Sequence, residues 1–174
     1  MHGYQHTALN LATTSVVAAA LTLLGHPQTA AAVSTGMVFG TLLVTPDLDL
    51  HYNDARRNWG ALKAIWAPYA AMSTHRGINH TYLAGPLLRL LYLAFWFAVP
   101  VYLLWQWPAA AAWAREFPRE MLFSAFLGYL MSQWLHLLCD GIIPFQRRKR
   151  PRPARGPLSR TEQTRSSGSR WSRR

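Results

Sequence analysis

Four long apolar segments constrain the fold of this chain more than any other feature of its sequence. They cover residues 9–25, 29–45, 83–106 and 120–143. A transmembrane helix needs about 20 predominantly apolar residues, and the third and fourth segments satisfy this requirement. The first two are shorter and rich in small residues, which let neighbouring membrane helices approach closely. The sequence therefore predicts an all-α integral membrane bundle of about four transmembrane helices.

The segment at residues 55–72, between the second and third spans, has a different character. Leu62, Trp66 and Tyr69 recur at spacings of four and three, and basic residues lie among them. An apolar stripe with tryptophan beside basic residues is typical of a helix that lies in the headgroup plane. We therefore expect an interfacial helix here.

The end of the chain carries most of the positive charge. Of the 18 Lys and Arg residues, 11 follow residue 146. Residues 146–174 consist largely of Arg, Pro and Ser, which predicts a disordered Arg-rich tail after a membrane-embedded domain of residues 1–145. We interpret the tail as an anchor of membrane topology. Binding to anionic membrane lipids or, more loosely, to nucleic acid is the alternative.

The same charge distribution predicts the orientation of the spans. With four spans, both termini and residues 46–82 lie on one side of the membrane, and residues 107–119 lie on the other. Because basic residues accumulate on the cytoplasmic side, we expect an inner (plasma) membrane protein with cytoplasmic N- and C-termini. Arg89, near the start of the third span, is expected to reach the headgroups. A signal peptide is the alternative at the N-terminus, but the first eight residues contain no Lys or Arg.

The unusual polar residues fall at the cytoplasmic ends of these spans. Ionisable residues within or beside a span are costly and usually functional. Seven candidates come from four places in the sequence and converge on one membrane face, so we expect them to form a metal site. They are His6, Asp47, Asp49, His75, His80, His136 and Asp140.

The spacing of two pairs supports this site. His136 and Asp140 are four residues apart and would share one helix face. Asp47 and Asp49 follow Pro46, which disfavours helix before it, and in an extended segment both carboxylates would point the same way. A loop at Gly77 could likewise aim both histidines of the HRGINH stretch at the same place.

Imidazole and carboxylate ligands without thiolate suit a divalent metal, most simply zinc or manganese. Seven ligands exceed the needs of one tetrahedral ion, so two ions bridged by an aspartate are an option. Two metals can clamp a phosphoryl group and activate water. We expect Asp49 to act as a catalytic proton acceptor and Arg76 to bind phosphate.

Structural roles for these residues stay open. Asp47 could cap a helix, and Asp49 could pair with Arg56 or Arg57. His136 and Asp140 could form a polar pair within the bundle. His51 is a further candidate ligand, whereas we assign no function to His2 and His26.

The motifs PDLD, NWGALKAIWAPY, HRGINH and HLLCD together resemble a bacterial and cyanobacterial family of predicted metal-binding membrane proteins. That family looks like a branch of the LexA-regulated, inner-membrane, metal-dependent hydrolase family. The resemblance covers roughly residues 1–145 and implies the ligands His6, Asp47, Asp49, His75, His80, His136 and Asp140. The wider family commonly has Thr-His-Ser around the second histidine, where this chain has Asn79, His80 and Thr81.

These observations predict a metal-dependent hydrolase that acts on a phosphoester or a lipid-linked substrate at the cytoplasmic face. Two alternatives come from other functional classes. One is a metal-binding protein without catalytic turnover. The other is a structural membrane scaffold whose basic tail holds lipid or a partner.

Overall fold

The computed structural model describes residues 3–50, 53–73 and 77–143, and within them the chain is helical. Three 3₁₀ helices, Pro46–Asp49, Gly60–Ile65 and Ile78–His80, join the α-helices. The described residues contain no β-strand, which confirms the all-α prediction. The α-helices are α1 (Gly3–Leu23), α2 (Pro27–Leu42), α3 (Asp54–Asn58), α4 (Trp66–Met72), α5 (Ala84–Trp105), α6 (Pro108–Glu116) and α7 (Arg119–Cys139).

Four helical segments are long and apolar enough to cross a membrane, as the sequence predicted. Three of them are α1, α5 and α7, and the fourth is Pro27–Asp49, which contains α2 and the 3₁₀ helix that follows it. The turn between α1 and α2 shows why the first two segments separate. Gly25 has a φ of 83°, a conformation that glycine adopts at little cost. Pro27 then begins α2, because proline fits the first turn of a helix.

Helices α2 and α7 pack closely along much of their length, and glycines make this contact possible. A Cβ atom at Gly36 would lie 1.8 Å from the carbonyl oxygen of Ala125, and one at Gly128 would lie 2.1 Å from that of Val33. Both neighbours are backbone atoms, which cannot turn away as a side chain can. These two helices therefore need the small residues that their sequences carry.

The segment after α2 does not form the interfacial helix that the sequence predicted for residues 55–72. It is broken into α3, a 3₁₀ helix and α4, and Gly60 has a φ of 54°, which interrupts a regular helix. Trp66 and Tyr69 are buried in the core with Val44, Leu48 and other apolar side chains. Burial of these aromatic rings against the bundle outweighs their placement at a lipid boundary.

The prediction that Arg89 reaches the headgroups is also wrong. Its side chain is fully buried, and its guanidinium donates to the carbonyl of Asn79 at 2.9 Å and to the side-chain oxygen of Gln133 at 2.8 Å. A buried guanidinium needs such partners, because an unpaired buried charge is very costly. The polar groups beside α5 provide them.

Candidate metal centre

The predicted ligands that the structure describes come together at one end of the bundle. His6 lies in the first turns of α1, and Asp47 lies in the 3₁₀ helix that follows α2. His80 ends the short helix before α5, and His136 and Asp140 lie at the end of α7. Because the long helices alternate in direction, the start of α1 and the ends of α2 and α7 meet. The convergence that the sequence predicted is present for these five residues.

Asp140 places one carboxylate oxygen against each of two histidines. Its Oδ1 lies 3.3 Å from Nε2 of His6, and its Oδ2 lies 3.5 Å from Nε2 of His136. The two imidazole rings stack with centroids 4.4 Å apart. The His136 imidazole lowers the pKa of the Asp140 carboxyl below its ordinary value, so this carboxyl favours the ionised form that a metal ligand requires.

Asp47 repeats this arrangement on the other side of His136. Its Oδ2 lies 3.3 Å from Nε2 of His136, and its Oδ1 lies 3.7 Å from Nε2 of His80. The side chains of all three histidines are nearly buried, whereas Asp47 is 24% exposed and Asp140 is 18% exposed. The carboxylates therefore form the part of the cluster that solvent can reach.

Among the residues that the structure describes, two overlapping groups of three could each hold a metal ion. One consists of His6, His136 and Asp140, the other of Asp47, His80 and Asp140, and in each group the ligand atoms lie within 4.8 Å of one another. Ligand atoms around a tetrahedral zinc ion are about 3.3–3.6 Å apart, close to the contacts seen between these histidines and aspartates. The nitrogen and oxygen donors fit a divalent ion. Asp140 belongs to both groups and has two oxygens to share.

Asp49 is a member of neither of these two groups. The extended conformation predicted after Pro46 is wrong, because Pro46–Asp49 is a 3₁₀ helix. With three residues per turn, side chains two positions apart point in different directions, so Asp49 does not point with Asp47. Asp49 is 6% exposed and belongs to neither ligand group; its predicted catalytic role stays a prediction. His51, His75 and Arg76 lie outside the described residues.

Asn53 holds the turn that carries Asp47, although it was not among the residues predicted from the sequence. Its side-chain amide donates to the carbonyl oxygens of Asp47 at 2.7 Å and Leu50 at 2.9 Å. Its Oδ1 accepts a hydrogen bond from the backbone N–H of Arg56 at 2.7 Å, which caps α3. Asparagine before a helix is a recognisable cap signal, so the sequence offered a clue.

A second buried network supports the histidines of the centre. Arg89 joins Asn79, which precedes His80, to Gln133, which lies one turn before His136. The hydroxyl of Tyr69 donates to Oδ1 of Asn79 at 2.6 Å, and burial raises the pKa of Tyr69 to about 12. The signal for this network was a charged residue within an apolar helix, because such residues are rarely incidental.

An open cavity of about 770 Å³ adjoins the cluster and is lined by His6, Asp47, His136 and Asp140. Polar side chains, among them Asn10 and Asn53, also face it. This volume lies within the range of about 300–1,000 Å³ that is typical of small-molecule sites. A metal ion held by the cluster would therefore be accessible to a ligand.

Comparison with known proteins agrees with this donor set. A family described as "Uncharacterized metal-binding protein (DUF2227)" matches residues 1–150. An uncharacterized protein from Aquifex aeolicus (strain VF5) is 43% identical over 58 residues, which are 33% of this chain and 41% of that protein. The match thus spans less than half of the relative's length. No solved structure matches the chain. Since the family match extends over most of the sequence, the chain belongs to this metal-binding family.

Proposed function

We propose that this protein is a membrane-bound, metal-dependent hydrolase of phosphoesters that acts at the cytoplasmic face. One observation carries the proposal: two ligand groups share Asp140 beside an open cavity. A saturated, closed site would suit a metal store or a structural ion, whereas catalytic metals keep an accessible position. The further relation to LexA-regulated hydrolases rests on the sequence resemblance alone.

The residues of the centre have distinct roles in this proposal. His6, His80 and His136 bind metal through imidazole nitrogen, and Asp47 and Asp140 bind it through carboxylate oxygen. A divalent metal, zinc or manganese by its ligands, supplies Lewis-acid activation of a phosphoryl group and of water. Asp49 is the proposed proton acceptor, and Arg76 is the proposed phosphate ligand. The polar lining of the cavity admits a charged substrate.

Location in the membrane is part of the same proposal. On α5, apolar side chains such as Leu91, Phe95 and Val99 are 66–74% exposed. A contiguous apolar surface of this kind is rare on a soluble monomer and suits contact with lipid. A lipid or lipid-linked phosphoester could then reach the centre from the bilayer.

Metal content and phosphoester hydrolysis, measured on the same detergent-purified samples, test the proposal. We expect stoichiometric zinc or manganese and metal-dependent cleavage of a chromogenic phosphodiester, with both lost in Asp140→Ala, which removes a ligand from both groups. His26→Ala is the matched control, since His26 is exposed in the turn before α2 and should change neither. Absence of metal from a folded, metal-supplemented wild type would contradict the proposal.

A metal-binding protein without turnover is the second candidate, because nothing in the donor set itself requires catalysis. Its signature in the same experiment is full metal content without hydrolysis of any phosphoester, including phosphatidic acid. A structural membrane scaffold is the remaining alternative. If the protein is a scaffold, its function would survive the loss of all bound metal.

A further inference from the structure

A second cavity lies beside the one at the metal centre and has a basic lining. It has a volume of about 650 Å³, and its walls include Arg56, Arg57 and Lys63. Asn53 and Asp54 line both this cavity and the one at the metal centre. The two spaces are therefore neighbours that meet at the start of α3.

The charge of this second cavity is not balanced by its own carboxylate. Asp54 is the acidic residue in the lining, and it pairs with Arg57 at 3.3 Å. Both of these side chains are largely exposed, so their ion pair adds little stability. Arg56 and Lys63 are left to give the cavity a net positive charge.

Arg56 adds a second observation that points to an anionic ligand. Its Nη1 atom is buried, yet it has no hydrogen-bond partner among the described residues. A buried donor without a partner is costly, and a guanidinium fork matches the oxygen atoms of a phosphate. Arg56 also lines the cavity, so its guanidinium is placed to bind an anion there.

We propose that Arg56 and Lys63 form a phosphate subsite next to the metal centre, so that the substrate carries a phosphate group in addition to the bond that is cleaved. Phosphate binding by this basic cavity stands on its own residues. Its role in orienting a substrate rests on the proposed hydrolase function. The phosphate could belong to a lipid headgroup or to a soluble molecule, because both present the same oxygen atoms.

Direct binding measurements on the full-length, detergent-purified protein test this proposal. The double variant Arg56→Met/Lys63→Met is compared with the matched control Arg115→Met/Arg119→Met, which removes two exposed basic residues from α6 and the start of α7. Inorganic phosphate is one probe. Phosphatidic acid in detergent micelles is the other, with diacylglycerol as the phosphate-free lipid.

We expect the Arg56→Met/Lys63→Met variant to bind phosphate roughly 10-fold to 100-fold more weakly, the equivalent of losing one charge-assisted hydrogen bond. The control variant should bind as the wild type does. A loss for both probes identifies the phosphate group itself as the ligand. A loss for phosphatidic acid alone identifies a lipid headgroup, and a loss for inorganic phosphate alone identifies a soluble phosphate.

Equal binding by the two double variants would overturn the subsite. Metal content is measured in every sample, so the two proposals can fail separately. A double variant that keeps its metal and binds phosphate normally contradicts the subsite and leaves the hydrolase intact. Phosphate binding that depends on Arg56 and Lys63 in a protein without metal would support the subsite and contradict the hydrolase.

Discussion

The position of Asp140 in both ligand groups leads to a prediction about metal stoichiometry. If each group holds one ion, Asp140→Ala removes a ligand from both. His6→Ala removes a ligand from one group, and His80→Ala removes a ligand from the other. We therefore expect about two ions per chain in the wild type, about one in each histidine variant and almost none in Asp140→Ala.

The size of the effect follows from the number of ligands that each group retains. Each group has three protein ligands, so every loss leaves two. Changing a residue that only supports a ligand typically weakens metal binding about 10-fold to 100-fold. Losing a ligand itself should cost at least as much, that is, roughly 1.4–2.7 kcal/mol or more for each affected ion.

Elemental analysis after dialysis against metal-free buffer measures these ratios, and circular dichroism verifies that each variant is folded. His26→Ala serves as the control, since it lies in the turn before α2. Equal losses in Asp140→Ala and His6→Ala would show that the two groups share a single ion. Full metal content in Asp140→Ala would refute the assignment of Asp140 as a ligand.

Three further predictions concern stability and pH. Gly36→Ala should destabilise the protein by about 1–3 kcal/mol in a thermal unfolding assay, because the added Cβ meets the backbone of α7. Gly3→Ala is the control and should be neutral, because a Cβ there meets nothing within 4 Å. Arg89→Met should cost roughly 2–6 kcal/mol, because two buried acceptors lose their donor; an unchanged melting temperature contradicts this. Acidification from about pH 7 to about pH 4 should release metal, because protons compete for imidazole and carboxylate; metal retained throughout, by elemental analysis after dialysis, would argue against these ligands.

The sequence was most informative about features that depend only on the length of the apolar segments and the alternating direction of the helices they form. Long apolar segments are recognised by composition, and four of them place alternate connections at opposite ends of a bundle. This reasoning brought His6, Asp47, His80, His136 and Asp140 to the same end without knowledge of any contact. Their arrangement around two shared carboxylates depends on rotamers and helix ends, which sequence patterns do not determine.

The errors fell where tertiary packing overrides local preference. The stripe of Trp66 and Tyr69 looked interfacial, yet these rings fill the core of the bundle. Arg89 looked like a residue that reaches lipid headgroups, yet Asn79 and Gln133 offer it buried acceptors. In each case the partner is distant in sequence, so the local pattern carried no information about it.

The stacked rings of His6 and His136 have a consequence for biogenesis. These two residues lie in α1 and α7, the first and last helices of the part of the chain that the structure describes. The group they form with Asp140 is complete only after α7 has been synthesised and has packed beside α1. Ion capture at that group is consequently a late event in assembly, and a chain truncated before α7 would leave the ribosome without it.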